Sequence, residues 1–281
     1  MICWRKALPS DLEILNEASR HLENRKTIVL CTVIEKNGHG PRDVGAKMLV
    51  MEDGASFGTI GGGDFERTLV GECLKALNNH KSKTIRFNLS GEDKPDLVST
   101  CMVCGGELSV LADVIEPEPR LIIIGSGNIA VPLAKLGQAA GFKIVVIDDE
   151  PKHSTKGQFP MAEQVIVGNY AKSLIEYKMG SGDYAVVAHG EPEHDFAATK
   201  LLLGKNLAYV GLLGSKKKIE LLTERLKAEG VVEQQLATLH APVGLDIGAE
   251  TPEEIGVSVL AEIIKIKRTR SRGSVSKRVI Q

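Results

Sequence analysis

The chain has 281 residues, 43% of them hydrophobic, so it can bury a sizeable core, and that length divides most naturally into two domains. Thirty-five basic against 36 acidic residues leave a formal charge of −1, which excludes a global field drawing the protein to nucleic acid or to an anionic membrane. No apolar run has the length of a membrane span and the first ten residues carry no secretory signal, so the expected localisation is cytoplasmic, with the five cysteines as reduced thiols.

Pro9-Ser10-Asp11 opens a helix to about Arg25, with Leu12, Leu15, Ala18, Ser19 and Leu22 as its packing face. Thr27 to Ile34 is β-branched and reads as a buried strand that holds Cys31 as inert core. Gly38, Gly40 and Pro41 turn the chain into a strand from Lys47 to Met51, and Asp53-Gly54 marks a hairpin into Ser56 to Ile60. Gly61, Gly62 and Gly63 then precede a helix to about Asn78, striped with Leu69, Val70, Cys73, Leu74 and Leu77. Three glycines before a helix leave backbone N–H groups open at the positive end of its dipole, an arrangement suited to an anion; a plain flexible linker is the alternative.

Strands from Lys83 to Asn88 and from Glu107 to Ile115 complete the first domain, residues 1–117. Between them lies Cys101-Met-Val-Cys104-Gly105-Gly106. No second ligand pair follows at zinc-finger spacing, and the motif does not open a helix as a thioredoxin pair would. Structural zinc and a redox pair remain open beside the preferred use, soft thiolates that meet a transition metal or carry sulfur.

Pro117 and Pro119 link to a second domain, residues 118–281. Arg120 to Asp149 reads as strand, glycine turn, helix and strand: Leu121 to Ile124 run into Gly125-Ser-Gly127-Asn-Ile-Ala130, and the second strand ends at Asp148. Gly125 permits the turn, Gly127 admits a pyrophosphate to the backbone, and Asp148 falls about 20 residues on, where a carboxylate accepts from an adenosine ribose and favours NAD over NADP. A purely structural βαβ unit is the alternative reading.

Further strands are expected at Gln164 to Val167, Tyr184 to Ala188 and Ala208 to Leu212, with helices at Lys172 to Met179 and Asp195 to Gly204 between them. His189 to Asp195 follows a strand end and faces a ligand crevice, although His194 or Asp195 could simply cap a helix. Gly214-Ser215, followed by three lysines, is a second candidate phosphate turn at the start of a helix to about Glu229. His240 to Gly244 reads as a loop, Thr251-Pro252-Glu253-Glu254 starts a helix to about Arg268, and the basic C-terminal tail reads as a solvated end. The fold class is therefore α/β: an N-terminal α+β domain with a small sheet, then a Rossmann-like domain with a doubly wound parallel sheet.

Six motifs in order resemble the XdhC/CoxI family of accessory factors for xanthine dehydrogenase-type molybdenum hydroxylases. They are TVIEKNGHGPRDVGAKMLV with Arg42, FGTIGGGDFE ending in Glu66, the CGG of Cys104 to Gly106, AHGEPEHD with His189, YVGLLGSKKK with Gly214 and Ser215, and HAPVGLDIGAETPEEIGVSVLAEII. The resemblance implies a maturation chaperone more than an enzyme. Such a protein binds molybdenum cofactor (molybdopterin), protects it while a cysteine desulfurase supplies the sulfido ligand, and delivers it to the apo-hydroxylase; a homodimer is the expected assembly. Arg42, Gly61, Gly62, Gly63, Glu66, Cys101, Cys104, Gly105 and Gly106 would form the cofactor site, with Cys104 nearest the metal. Gly125, Gly127, Asp148, His189, Gly214 and Ser215 would line a second site open to NAD. The competing reading is an NAD-dependent oxidoreductase in which His189 or His194 donates a proton to a small carbonyl substrate.

Overall fold

The computed structural model describes residues 8–90, 96–100, 105–152 and 154–272. It resolves into two compact units, one comprising the chain to Pro117 together with the segment from Thr269, the other Glu118–Arg268. The last described turn of the final helix groups with the first unit.

The first unit begins with α1 (Asp11–Glu23), started by a capping box in which the Ser10 hydroxyl accepts from the Glu13 amide and Glu13 accepts from the Ser10 amide. Its buried residues are Ile14 and Ala18, with Leu22 packed beside them, whereas Leu12 and Leu15 face solvent. This corrects the expected packing face. The helix carries two adjacent apolar rows that share Ala18 and Leu22, and the row through Ile14 is the one that meets the sheet.

The strands are β1 (Ile28–Asn37), β2 (Lys47–Met51) and β3 (Ser56–Gly58), then, after α2 (Gly63–Asn78), β4 (Lys83–Asn88), β5 (Val98–Ser99) and β6 (Glu107–Ile115). They form one sheet in the order β3-β2-β1-β6-β4-β5, antiparallel except for the β4–β5 pair. Alternation along the strands decides which helix each residue meets. Ile28 and Leu49 pack with α1, while Val29, Cys31, Val33, Met48 and Val50 pack with Phe65, Leu69, Cys73 and Leu77 of α2.

The second unit contains β7 (Arg120–Ile124), α3 (Ala130–Ala139), β8 (Lys143–Asp148), β9 (Gln164–Val167), α4 (Tyr170–Glu176), β10 (Asp183–Val187) and α5 (Pro192–Leu203). It continues through β11 (Tyr209–Leu212), α6 (Lys216–Ala228), α7 (Glu233–Leu236), β12 (Leu239–His240) and α8 (Pro252–Arg272). All six strands are parallel, in the order β12-β11-β10-β7-β8-β9. Successive β7 residues are buried on opposite faces, Leu121 and Ile123 on one and Ile122 and Ile124 on the other, so the strand is an unbroken apolar run. The order in which successive strands are added reverses between β7 and β10, which makes this the switch point of the sheet, where open parallel sheets bind their ligands. Below it, Asp183 is fully buried and accepts twice from the Arg120 guanidinium at 2.8 Å.

Several boundaries differ from those expected. Asn169 caps α4 through its side chain, so that helix starts earlier. Helix α5 starts at Pro192, which places His194 and Asp195 inside its first turn, not at its cap. The expected loop from His240 begins as β12, a short strand that exists by pairing with β11.

Candidate functional site

In the first unit, three glycine-containing loops meet at one end of the sheet. A Cβ at Gly61 would overlap the Pro41 ring, and a Cβ at Gly106 would overlap the carbonyl of His39, so the loops carrying Arg42, the glycine triplet and the CGG motif are in contact. Glu66, on the first turn of α2, fastens the triplet: its Oε1 accepts from the amides of Ile60 (2.8 Å) and Gly61 (3.1 Å) and from the Thr59 hydroxyl. Its carboxylate thus positions the loop. Gly62 and Gly63 have φ of +80° and +65°, a region L side chains rarely adopt, and open space lies where their Cβ atoms would be. Gly62 is the N-cap of α2 and supplies no side-chain acceptor, so the helix presents bare amide donors at the positive end of its dipole.

Arg42 is half-buried and makes no hydrogen bond or ion pair with any described residue; it lines a hollow of about 710 Å³ together with Lys36, Gly40, Pro41 and Lys47. Gly105 and Gly106 are pinned by backbone bonds to Leu89. Cys101 and Cys104 lie outside the described residues. Cys31 and Cys73 are fully buried, as their apolar positions suggest, with their sulfurs 3.3 Å apart.

In the second unit, a Cβ at Gly125 (φ +101°) would lie 2.5 Å from the Cα of His189, so the first βα turn and the segment after β10 touch across the switch point. Beside the turn is a cavity of about 660 Å³ lined by Ser126, Gly127, Asn128, Lys135 and Glu253. Asp148 stands at the end of β8 as expected but is only 2% exposed, with Oδ1 accepting from the amides of Asp149 (2.7 Å) and Glu150 (3.1 Å). Burial pushes its pKa up, yet the Ser126 hydroxyl and those two amides outweigh it and hold the carboxyl below its ordinary range. The carboxylate expected to meet a ribose is therefore engaged within its own loops.

Its neighbour Asp149 faces outward to two imidazoles. Asp149 Oδ1 is 3.2 Å from His189 Nε2, and Asp149 Oδ2 is 3.1 Å from His194 Nε2. His194 Nδ1 is 2.9 Å from Glu191 Oε2, and the His189 ring meets the edge of Tyr170 at 90° and 5.3 Å. Sequence reasoning finds both histidines but misses Asp149 and Tyr170 as their companions; the doubled acid Asp148-Asp149 is the available signal. Ser215 caps α6, accepting from the Lys218 amide at 3.4 Å, and Lys218 itself is ion-paired with buried Asp195. The candidate phosphate turn at Gly214-Ser215 thus has its hydroxyl and one of its lysines committed internally.

The glycine turn, the acid at the tip of β8 and the strand order make the second unit a Rossmann-type domain. The family model described as XdhC Rossmann domain matches residues 121–263, and the one described as XdhC and CoxI family matches residues 21–88. The chain belongs to the XdhC and CoxI family.

Among its relatives, YqeB of Escherichia coli (strain K12), an uncharacterised protein, is 32% identical over 267 residues, covering 95% of this chain and 48% of that protein. A Bacillus subtilis (strain 168) protein named as a probable xanthine dehydrogenase component is 42% identical over 154 residues, 55% of this chain and 44% of that one. The molybdenum cofactor insertion chaperone PaoD of Escherichia coli (strain K12) is 24% identical over 285 residues, covering 90% of this chain and 88% of that one. The chain thus spans about half the length of the first two. A crystal structure described as a xanthine dehydrogenase from Bacillus halodurans is similar with a TM-score of 0.51 and 25% identity, over 92% of this chain and 97% of that one. No helix among the described residues is long and apolar enough to cross a membrane.

Proposed function

We propose that the protein is an accessory factor that binds molybdenum cofactor, holds it during sulfuration by a cysteine desulfurase, and inserts it into a xanthine dehydrogenase-type hydroxylase. The observation that carries this reading is the bare N-terminus of α2 above Gly62 and Gly63, next to the loop of Arg42. Molybdopterin offers a phosphate, a flat pterin and a soft metal–dithiolene centre. Backbone amides and a guanidinium suit the first of these, and the thiol of Cys104, adjoining Gly105, suits the last. The relative named as a molybdenum cofactor insertion chaperone and those named for xanthine dehydrogenase support the same client class.

A carrier must release its cargo, and backbone amides with one arginine would hold a phosphate without caging it. Cytoplasmic action with reduced thiols and a homodimeric assembly belong to this proposal. The NAD reading draws no support from Asp148, whose carboxylate is occupied.

The test is cofactor retention by freshly purified protein, with pterin and molybdenum assayed together, followed by activation of an apo-hydroxylase. Arg42→Ala should lose retained pterin while the thermal midpoint stays within a few degrees, Gly63→Val should lose pterin and also lower the midpoint because its φ of +65° strains a β-branched side chain, and Cys104→Ser should lose activation more than retention. Wild-type protein that carries no pterin and activates no apo-hydroxylase refutes the proposal.

A further inference from the structure

The second unit holds a cluster that cofactor carriage by the first unit does not use. Asp149 follows β8, His189 follows β10 and His194 lies in the first turn of α5, so the three side chains converge at the switch point from both sides of β7. One donor atom of each lies within 4.8 Å of the other two. Asp149 reaches the Nε2 atoms of His189 and His194 at 3.2 and 3.1 Å. A four-coordinate ion with metal–ligand distances of about 2.0 Å separates its ligands by about 3.3 Å, so the two Asp149–histidine pairs already have nearly that spacing.

Charge and proton placement point the same way. Three carboxylates surround the two imidazoles: Asp149, Asp148 at 3.6 Å from His189 Nε2, and Glu191 at 2.9 Å from His194 Nδ1. In neutral His194, donation from Nδ1 to Glu191 leaves the Nε2 lone pair facing the Asp149 carboxylate, a repulsive pairing that a cation between them turns into two bonds. A carboxylate that orients the far nitrogen of a ligating histidine is the usual outer partner of a metal site. The His189 side chain is 11% exposed, and those of His194 and Asp149 are each 34% exposed, so the site is walled on one side and open to an entering ion on the other.

We infer that Asp149, His189 and His194 bind one first-row divalent transition-metal ion, with Glu191 orienting His194. Two imidazoles and one carboxylate match the donor set of open metal centres, not the closed tetrads of structural zinc. The remaining coordination positions are available to an oxygen ligand such as hydroxide, carboxylate or phosphate, in the crevice where open parallel sheets bind their ligands.

Cobalt(II) titration of the metal-free full-length protein, followed by visible absorption and by competition with zinc(II), tests the assignment without reference to molybdenum cofactor. One ion per chain is expected at this site, without thiolate-to-cobalt charge transfer. Glu191→Gln, a surface change, should weaken binding about ten- to a hundredfold at an unchanged thermal midpoint. Asp149→Asn and His194→Ala should remove the saturable visible band. Absence of saturable binding overturns the inference. So does a bound ion that shows thiolate charge transfer and is indifferent to both His194→Ala and Glu191→Gln.

Discussion

Replacing Glu66 by alanine separates loop architecture from ligand contact in the first unit. One carboxylate oxygen accepts from the amides of Ile60 and Gly61 and from the Thr59 hydroxyl, and all three donors sit in the segment that leads into the glycine triplet. A hydrogen bond to a charged acceptor contributes about 1.5–3 kcal/mol when well shielded. These groups are only partly buried, so about 1 kcal/mol each is appropriate, or about 3 kcal/mol together. For a unit of this size that corresponds to a fall of roughly 10 °C in its thermal midpoint. Glu66→Gln keeps one carbonyl acceptor at the same place and should lose only about 1 kcal/mol. Scanning calorimetry gives the midpoints, and pterin retention in the same preparations reports whether the released loop still holds cofactor. An alanine variant whose midpoint and pterin content both match wild type would show that the triplet is held by other means and that the reasoning is wrong.

Asp183→Ala should destabilise the second unit by about 3 kcal/mol, because it removes the carboxylate partner of the part-buried Arg120 guanidinium and leaves it the Tyr177 hydroxyl and the Lys178 carbonyl; replacing both partners by apolar residues should recover much of that loss in a urea titration. Glu72 lies between Lys75 (2.7 Å) and Lys83 (2.5 Å), which hold its carboxyl below its ordinary value of 4.5. Its contribution to stability is therefore present at neutral pH and disappears as pH falls below about 4.5 through the lowered folded value, so Glu72→Gln should flatten the acid limb of the urea midpoint plotted against pH. The Cys31 thiol is pushed up by its bond to Cys73 and by burial, and both cysteines should resist alkylation until denaturant is added, as mass spectrometry would show.

Strands β7 to β9 are legible in the sequence because each is built on an apolar run: β9 has the expected bounds, and β7 and β8 differ from expectation only at their ends. The glycine triplet is legible for a similar reason, since three such residues between regular elements have few other uses. Sequence spacing locates Asp148 correctly along β8, but spacing carries no information about which way a carboxylate turns, and local amides capture it. The partnership of Asp149 with His189 spans 40 residues and arises only when β8 and β10 are laid on either side of β7. Strands β5 and β12, two residues each, have no local signature because tertiary pairing creates them. The wrong face of α1 comes from two overlapping apolar rows that periodicity alone ranks equally.

Among the described residues both sheets end in strands that are very short: β3 has three residues and β5 two, while β12 has two and β9 four. A long, flat margin would offer a row of unsatisfied amides and carbonyls to any extended chain, the usual start of runaway edge-to-edge aggregation. These margins offer a stranger almost nothing to zip onto. The protein can therefore meet another chain whose own strands are exposed with little risk of fusing to it through backbone pairing. Any partner would have to be recognised through side chains, and such recognition could be tuned or abolished by point substitution without disturbing either sheet.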